Sequence, residues 1–388
     1  MWRHVASNAL SFFVVALFLL AGVIAWSAER YSSAGPLEQA ICFQVERGSN
    51  IRKVSAKLSE TGAITSAPLF RIGAEYAEKS GSLKAGSFRV PAGTSMEGIT
   101  DIITRGGQNT CGTEIVYRIG VTANRIQVRE LDPQTDRFVT LVNFDPTSSE
   151  TLPEAFEDTL ANPDTLYRVA MAEGVTSWQV VNVLSSIAEL ASDTAQVPAE
   201  GSLAPGSYDF RKGATTTSIL DRMADRQDQI LAQAWANRAD GLPLATPEEA
   251  LVLASIVEKE TGLAGERRQV ASVFVNRLNQ GMRLQTDPTV IYGITKGEGV
   301  LGRGLRQSEL RRETPWNTYL IDGLPPTPIA NPGEAAINAA LNPDGSKFIF
   351  FVADGTGGHA FATTLAEHNA NVRKWRAIEA ERASQNDG

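Results

Sequence analysis

Histidine and cysteine are scarce. His4, His359 and His368 are the three histidines and Cys42 and Cys111 the two cysteines of 388 residues. None sits at metal-ligand spacing, so a zinc or redox centre is not expected, and no cofactor is implied. Positive charge is also in deficit. With 36 Lys and Arg against 44 Asp and Glu the formal net charge is −8, and no basic cluster marks a nucleic-acid surface. Internal repeats and low-complexity tracts are absent. What remains is globular in composition, 43% hydrophobic and 21% charged, and too long for one ordinary domain, so two or three are expected.

One long apolar run stands out. "ALSFFVVALFLLAGVIAW", residues 9–26, holds 18 residues with no charge and one hydroxyl, enough to span a bilayer. Arg3 and His4 precede it and Trp26 suits the far interface. The rival is a cleaved signal peptide, since "AWSA" offers small residues near its end. The apolar core exceeds the usual ~7–15 residues, which favours an uncleaved anchor. Both alternatives send residues 28–388 out of the cytoplasm.

Periodicity divides the remainder. Residues 1–27 read as a short cytoplasmic tail and transmembrane anchor, and 28–39 as a linker containing "SSAGPLEQA". Residues 40–107 read as a small α+β module, with a brief strand, two helices, a strand at "LKAGSFRVPAG" and a helix at "SMEGITDIITRGG". Cys42 and Cys111 flank it, either as a disulfide permitted outside the cytoplasm or as two buried thiols. Residues 108–165 look β-rich through "EIVYRI", "RIQVREL" and "RFVTLVNF". Residues 166–245 carry helices at "SWQVVNVLSSIAELAS" and "TTTSILDRMADRQDQILAQAWANRA". From 246 to 388 the texture changes to strong helices, strand-like pieces and Gly/Pro turns.

The segment "VLASIVEKETG", 252–262, poses a chemical question, because an apolar run ends in Glu258-Lys259-Glu260. Thr246 as N-cap, Pro247 at N1 and Glu249 at N3 start a helix, and Gly262 is its expected stop. On a wheel of about 100° per residue with Leu253 at zero, Ile256, Val257 and Glu260 fall within about 60° of it. Glu260 thus shares the apolar stripe, whereas Glu258 lies beside Leu251 and Ala254. Apolar neighbours and the negative end of the helix dipole both disfavour the charged form of Glu260 and raise its pKa, as a general acid requires. Two solvated glutamates at a helix end are the alternative, and from this stretch alone they are the commoner case.

Downstream, "GERRQVASVFVNRLNQG" reads as a second helix with Val270, Val273, Phe274 and Leu278 on one face, stopped by Gly281. "MRLQTDPTVIYG" reads as extended, with Arg283, Gln285 and Asp287 on one side by alternation. Asn317 and Tyr319 lie in "NTYLIDGLPPTPIANPG", and His359 on the glycine turn of "FIFFVADGTGGHAFATTLAEHN". Amides, hydroxyls, carboxylates and aromatic rings gathered on such loops suit a carbohydrate cleft. Each also has a plainer reading: Asp287 before Pro288 as a turn former, Asn317 and Tyr319 as loop ties, His359 as a hydrogen-bonded structural residue.

These motifs resemble the MltG (YceG-like) endolytic murein transglycosylases, densely over residues 246–373 and more loosely upstream, where "AEGVTSWQVVNVL" is similar to the family's strand-turn-helix. The resemblance implies an N-terminal transmembrane helix, a small LysM-like α+β module at 40–107 and a mixed α/β catalytic domain, α+β overall. It implies non-hydrolytic cleavage of the MurNAc–GlcNAc β-1,4 bond of nascent peptidoglycan, leaving 1,6-anhydro-MurNAc ends. It further implies an inner-membrane protein anchored once through residues 9–26, with its C-terminal part in the periplasm and penicillin-binding synthases as partners. The family's catalytic glutamate corresponds to Glu260, the residue that the wheel also selects. Glu258, Thr261, Gln285, Asp287, Asn317, Tyr319 and His359 are supporting or substrate-binding candidates, with no metal. Two departures stand out: "EGSLAPGSYDF" keeps Glu200 and Tyr208 but lacks the family's Phe and Asp, and Thr327 replaces the usual glycine of "GLPPGPI". A muramidase-type hydrolase using Glu260 and Asp287, and a non-catalytic peptidoglycan-binding scaffold, are the competing readings.

Overall fold

The computed structural model describes residues 2–105, 111–148, 151–162 and 165–386. The chain divides into two compact units. One comprises Met1–Ile115, Gln127–Asn143 and Glu150–Leu166, the other Val116–Ile126, Phe144–Ser149 and Tyr167–Gly388.

The first unit begins with helix α1 (Trp2–Ser32), in which Phe12–Ser32 is long and apolar enough to cross a membrane. There follow β1 (Ile41–Val45), α2 (Ile51–Glu60), α3 (Ala67–Tyr76), β2 (Gly86–Val90) and α4 (Met96–Thr104). Side chains of Asn50, Ser66 and Ser95 accept backbone N–H groups at the starts of the three helices after α1, satisfying donors that the helices cannot. β1 and β2 pair antiparallel, Ile41 opposite Val90 and Val45 opposite Gly86. Phe43, Leu58, Phe70, Phe88, Ile99 and Ile103 form the buried core between strands and helices. Cys42 and Cys111 are disulfide-bonded with Cα atoms 5.5 Å apart. Of the two alternatives left open by the sequence, the bond is the one present, and closing so long a loop contributes about 4 kcal/mol in the chain-entropy account. The expected boundary at 107/108 lies outside the described residues.

The expected strands appear as β3 (Thr113–Ile119), β4 (Arg125–Asp132) and β5 (Arg137–Phe144), followed by an unforeseen helix, α5 (Glu154–Ala161). With β6 (Leu166–Met171) and β7 (Gly206–Phe210) they form a sheet of order β5-β4-β3-β6-β7. Between the last two strands lies α6 (Ser177–Leu184), begun by a capping box of Thr176 and Gln179 and shorter than its apolar pattern predicts.

The rest of the second unit is mainly helical: α7 (Thr216–Ala236), α8 (Pro247–Glu260), α9 (Arg267–Asn279), α10 (Asp287–Thr295), α11 (Gln307–Leu310) and α12 (Glu334–Leu341). The hairpin β8 (Phe350–Ala353) and β9 (His359–Ala362) and the helix α13 (Leu365–Asn386) close the chain. α8 packs against α7, α9, α10 and α12. Leu253, Ile256, Val257, Phe274, Ile337 and Leu341 are buried together there.

Two local expectations need correction. Residues 287–295 are helical, not extended. Pro288 in the first turn has its φ preset for a helix and needs no N–H bond there, so the chain turns into α10 at Asp287. The alternation invoked for Arg283, Gln285 and Asp287 therefore fails, and Gln285 takes a left-handed φ of 53°. α8 stops just before Gly262 as expected, but not through a left-handed cap. Thr261 leaves the helix at φ −143°, ψ 129°, and its hydroxyl accepts the Leu263 N–H at 3.1 Å.

Candidate active site

Helix α8 is buried on every side from Val252 to Val257, and partial exposure returns only at Glu258, Lys259 and Glu260. Thr246 starts it as expected, its hydroxyl accepting the Glu249 N–H at 3.3 Å. Glu249 returns to the N–H of Ala245 at 2.6 Å, not to that of Thr246. The helix thus delivers its last residue, Glu260, to the edge of the core.

Glu260 meets a threonine network. The Thr286 hydroxyl donates to Glu260 Oε1. The Thr286 N–H donates to Thr318 Oγ1 at 3.0 Å, Thr318 and Thr289 hydroxyls lie 2.9 Å apart, and Thr289 Oγ1 donates to the Thr286 carbonyl at 2.7 Å. All three threonines are buried. The pKa of Glu260 is raised, chiefly by burial and further by the negative charge of Asp287. Against that shift act the Thr286 hydrogen bond and the charges of His359 and Arg277. A neutral carboxyl held by a hydroxyl, beside groups able to stabilise its anion, can give a proton and take one back.

Two further pairings flank it. Arg277 is buried in α9, its Nε donating to the Ile349 carbonyl at 2.7 Å and its Nη1 to the carbonyls of Leu284 at 2.7 Å and Arg283 at 3.2 Å. It therefore ties the approach to Thr286 to the segment entering β8. Glu266 accepts the His359 N–H at 2.9 Å and lies 2.8 Å from His359 Nδ1, so one carboxylate fixes both backbone and ring. A side chain at Gly358 would collide with that carboxylate.

The other candidates separate by their partners. Glu258 Oε2 accepts the Gly333 N–H at 3.0 Å, at the start of α12, and its pKa is raised by burial first and then by Glu173. Asp287 is exposed and accepts the Tyr319 hydroxyl at 2.7 Å. Tyr319 has its own pKa raised by burial and by this carboxylate. Asn317 is buried, donating to the Leu310 and Arg312 carbonyls and accepting from the Tyr319 N–H, so its amide is used in the loop. Thr261 is buried in its turn and Gln285 is exposed. Glu200 accepts the Ser177 N–H at 2.8 Å at the start of α6 and also hydrogen-bonds Tyr292 of α10, and Tyr208 donates to the Ala204 carbonyl at 2.7 Å, so both tie parts of the fold together.

Sequence reading did not select Arg277, Glu266 or the three threonines. For Arg277 a signal existed: it lies seven residues after Val270 and three after Phe274, on the apolar face of its own helix. The others are united by partners 26 to 93 positions away, which no local pattern reports.

A family model described as the YceG-like family matches residues 43–374. An "Endolytic murein transglycosylase" of Bacillus subtilis (strain 168) is 26% identical over 339 residues, 86% of this chain and 84% of that protein. A protein of the same name from Streptococcus pneumoniae serotype 2 is 27% identical over 384 residues. That alignment takes in 95% of this chain but 65% of the longer relative. A solved YceG-like protein of Listeria monocytogenes aligns over 86% of this chain and 99% of its own, at 23% identity and a TM-score of 0.45.

Proposed function

The chain belongs to the YceG-like family, and from that premise we propose that it is an endolytic murein transglycosylase with Glu260 as its catalytic acid and base. The bond cut is the MurNAc–GlcNAc β-1,4 linkage. Neutral Glu260 donates its proton to the glycosidic oxygen as the bond to C1 breaks. The resulting carboxylate accepts the proton of the MurNAc C6 hydroxyl, whose oxygen bonds to C1 and closes the 1,6-anhydro ring. One proton leaves Glu260 and one returns, so no water is consumed. Thr286 orients the carboxyl, Arg277 stabilises the transient anion, and His359, fixed by Glu266, offers its second ring nitrogen toward substrate. The observation that carries this reading is the half-buried Glu260 carboxyl at the edge of the core, its pKa raised and its geometry fixed by a buried threonine network.

Asp287 supports a second reading. An exposed carboxylate whose charge reaches Glu260 is what a two-carboxylate hydrolase needs. Product mass separates the two. Full-length protein in detergent, given uncrosslinked glycan, is expected to leave anhydro ends that lack the water carried by reducing ends. Reducing ends would overturn the lyase in favour of the hydrolase, and bound but uncut strands would leave the scaffold.

The apolar Phe12–Ser32 helix supports a single membrane anchor; that the remainder lies in the periplasm beside the peptidoglycan synthases is part of the same proposal. The order β1-α2-α3-β2 supports reading the small module as LysM-like. Fractionation of cells should recover the whole chain with the inner membrane. A mature N-terminus near residues 26–30 would show cleavage instead.

A further inference from the structure

The acidic total hides a local reversal. Residues 296–312 carry Lys296, Arg303, Arg306, Arg311 and Arg312 against Glu298 and Glu309. Glu309 is already engaged: its carboxylate accepts Arg303 Nη1 at 2.9 Å, Arg303 Nη2 at 2.6 Å and the Arg306 N–H at 2.7 Å. Among the described residues Lys296 and Arg312 have no carboxylate within ion-pair distance.

The Lys296 side chain and the Arg312 backbone are held in place. Lys296 ends α10 in a left-handed conformation, φ 55° and ψ 26°, a geometry that costs a non-glycine residue about 1 kcal/mol. Its ammonium lies 3.5 Å from the centroid of the Trp316 ring. Trp316 is itself fixed, its Nε1 donating to Thr327 Oγ1 at 2.9 Å and its ring 5.6 Å from that of Tyr292. Thr327 is the residue that departs from the family's glycine, so here that departure anchors the platform under the lysine. The Arg312 carbonyl accepts from Asn317 Nδ2 at 2.8 Å. The chain then packs on α10 at Gly293, where even a methyl group would come within 2.6 Å of the Thr314 hydroxyl. The ring that carries Lys296 belongs to Trp316, the residue before the Asn317 whose amide holds the Arg312 carbonyl, so both cations stand on one short loop; the pKa of Lys296 is lowered, by loss of solvent first and then by Arg312. The negative end of α10 accounts for a lysine there, but not for a second cation brought up to it.

We propose that Lys296 and Arg312 form an anion subsite for the free carboxylates of the peptide stems that branch from the glycan strand. The assignment rests on the peptidoglycan reading above. α10 is capped by Thr286, at the Glu260 end, and by Lys296, a span of about 15 Å at ~1.5 Å per residue. The subsite therefore stands off from the bond being cut and meets a side branch. A stem carboxylate relieves the repulsion between the cations through charge-assisted hydrogen bonds.

The test is binding to full-length protein carrying Glu260→Gln, so that no turnover is required. Titration with uncrosslinked strands whose stem carboxylates are free, and with strands whose stem carboxylates have been converted to amides, gives a preference ratio. Lys296→Ala with Arg312→Ala should cut that ratio about tenfold, the scale of two ion pairs. Lys296→Arg with Arg312→Lys should restore it. An unchanged ratio, or equal losses on both kinds of strand, overturns the subsite. Failure of the transglycosylase reading would show separately, as absence of anhydro ends from the unsubstituted enzyme.

Discussion

Glu260→Gln should lower anhydro-product formation at least ~10²-fold, the contribution of a positioned general acid and base. Glutamine keeps the shape and can still meet the Thr286 hydroxyl, but has no proton to give. The pH profile carries the same signature. Because the Glu260 pKa is raised, chiefly by burial, the acid form persists above the ordinary carboxylate range. Rate should therefore fall on the alkaline side as pH passes the raised pKa, not near the usual glutamate value. Stability follows the same sign: the contribution of a neutral buried carboxyl is fully present below the unfolded-state pKa and is lost as pH rises through the folded one. In Glu260→Gln that loss should vanish from denaturation curves taken across the window. Glu258→Gln should cost less activity, since that carboxylate is committed to the Gly333 N–H at the head of α12. Near-normal anhydro product from Glu260→Gln, with none from Glu258→Gln, would mean that the wrong carboxylate has been chosen.

The two glutamates show how far sequence reaches. Caps and apolar period predict α8, and the wheel sets Glu260 on the Leu253–Ile256–Val257 stripe, all three buried in the structure. Yet α8 is buried on all faces from Val252 to Val257, so an apolar stripe does not by itself separate the carboxylates, and both have raised pKa values. What separates them is who faces each: a helix start for Glu258, a buried threonine network for Glu260. Those partners come from chain segments 26 and 75 positions away, beyond any local pattern. The same limit hid the helix after Asp287, where a proline read as a turn former was a helix starter, and left the cysteine pairing open until the two Cα atoms were seen at 5.5 Å.

Arg277→Met should be the other severe substitution, for two reasons that can be pulled apart. Methionine fills much of the space but leaves the buried Leu284 carbonyl and the half-buried Ile349 and Arg283 carbonyls without their donor. Leaving a buried acceptor unpaired costs about 1–3 kcal/mol, so with several carbonyls affected a large fall in unfolding free energy is expected from denaturant titration. The second reason is electrostatic. The positive charge of Arg277 favours the ionised form of Glu260. The proposed reaction passes through that ionised form, so a neutral residue should make the first proton transfer harder and push the Glu260 pKa higher still. The alkaline limb of activity should then move to higher pH in Arg277→Met while the maximal rate falls. Arg277→Lys keeps the charge but not the planar fork, since an ammonium cannot span the carbonyls as the guanidinium does. It should lose stability yet hold the alkaline limb near that of the unsubstituted protein. If both variants lose stability while neither moves the limb, Arg277 is a strut for the Thr286 approach and nothing more. If methionine moves the limb and lysine does not, the buried cation sets the proton affinity of Glu260.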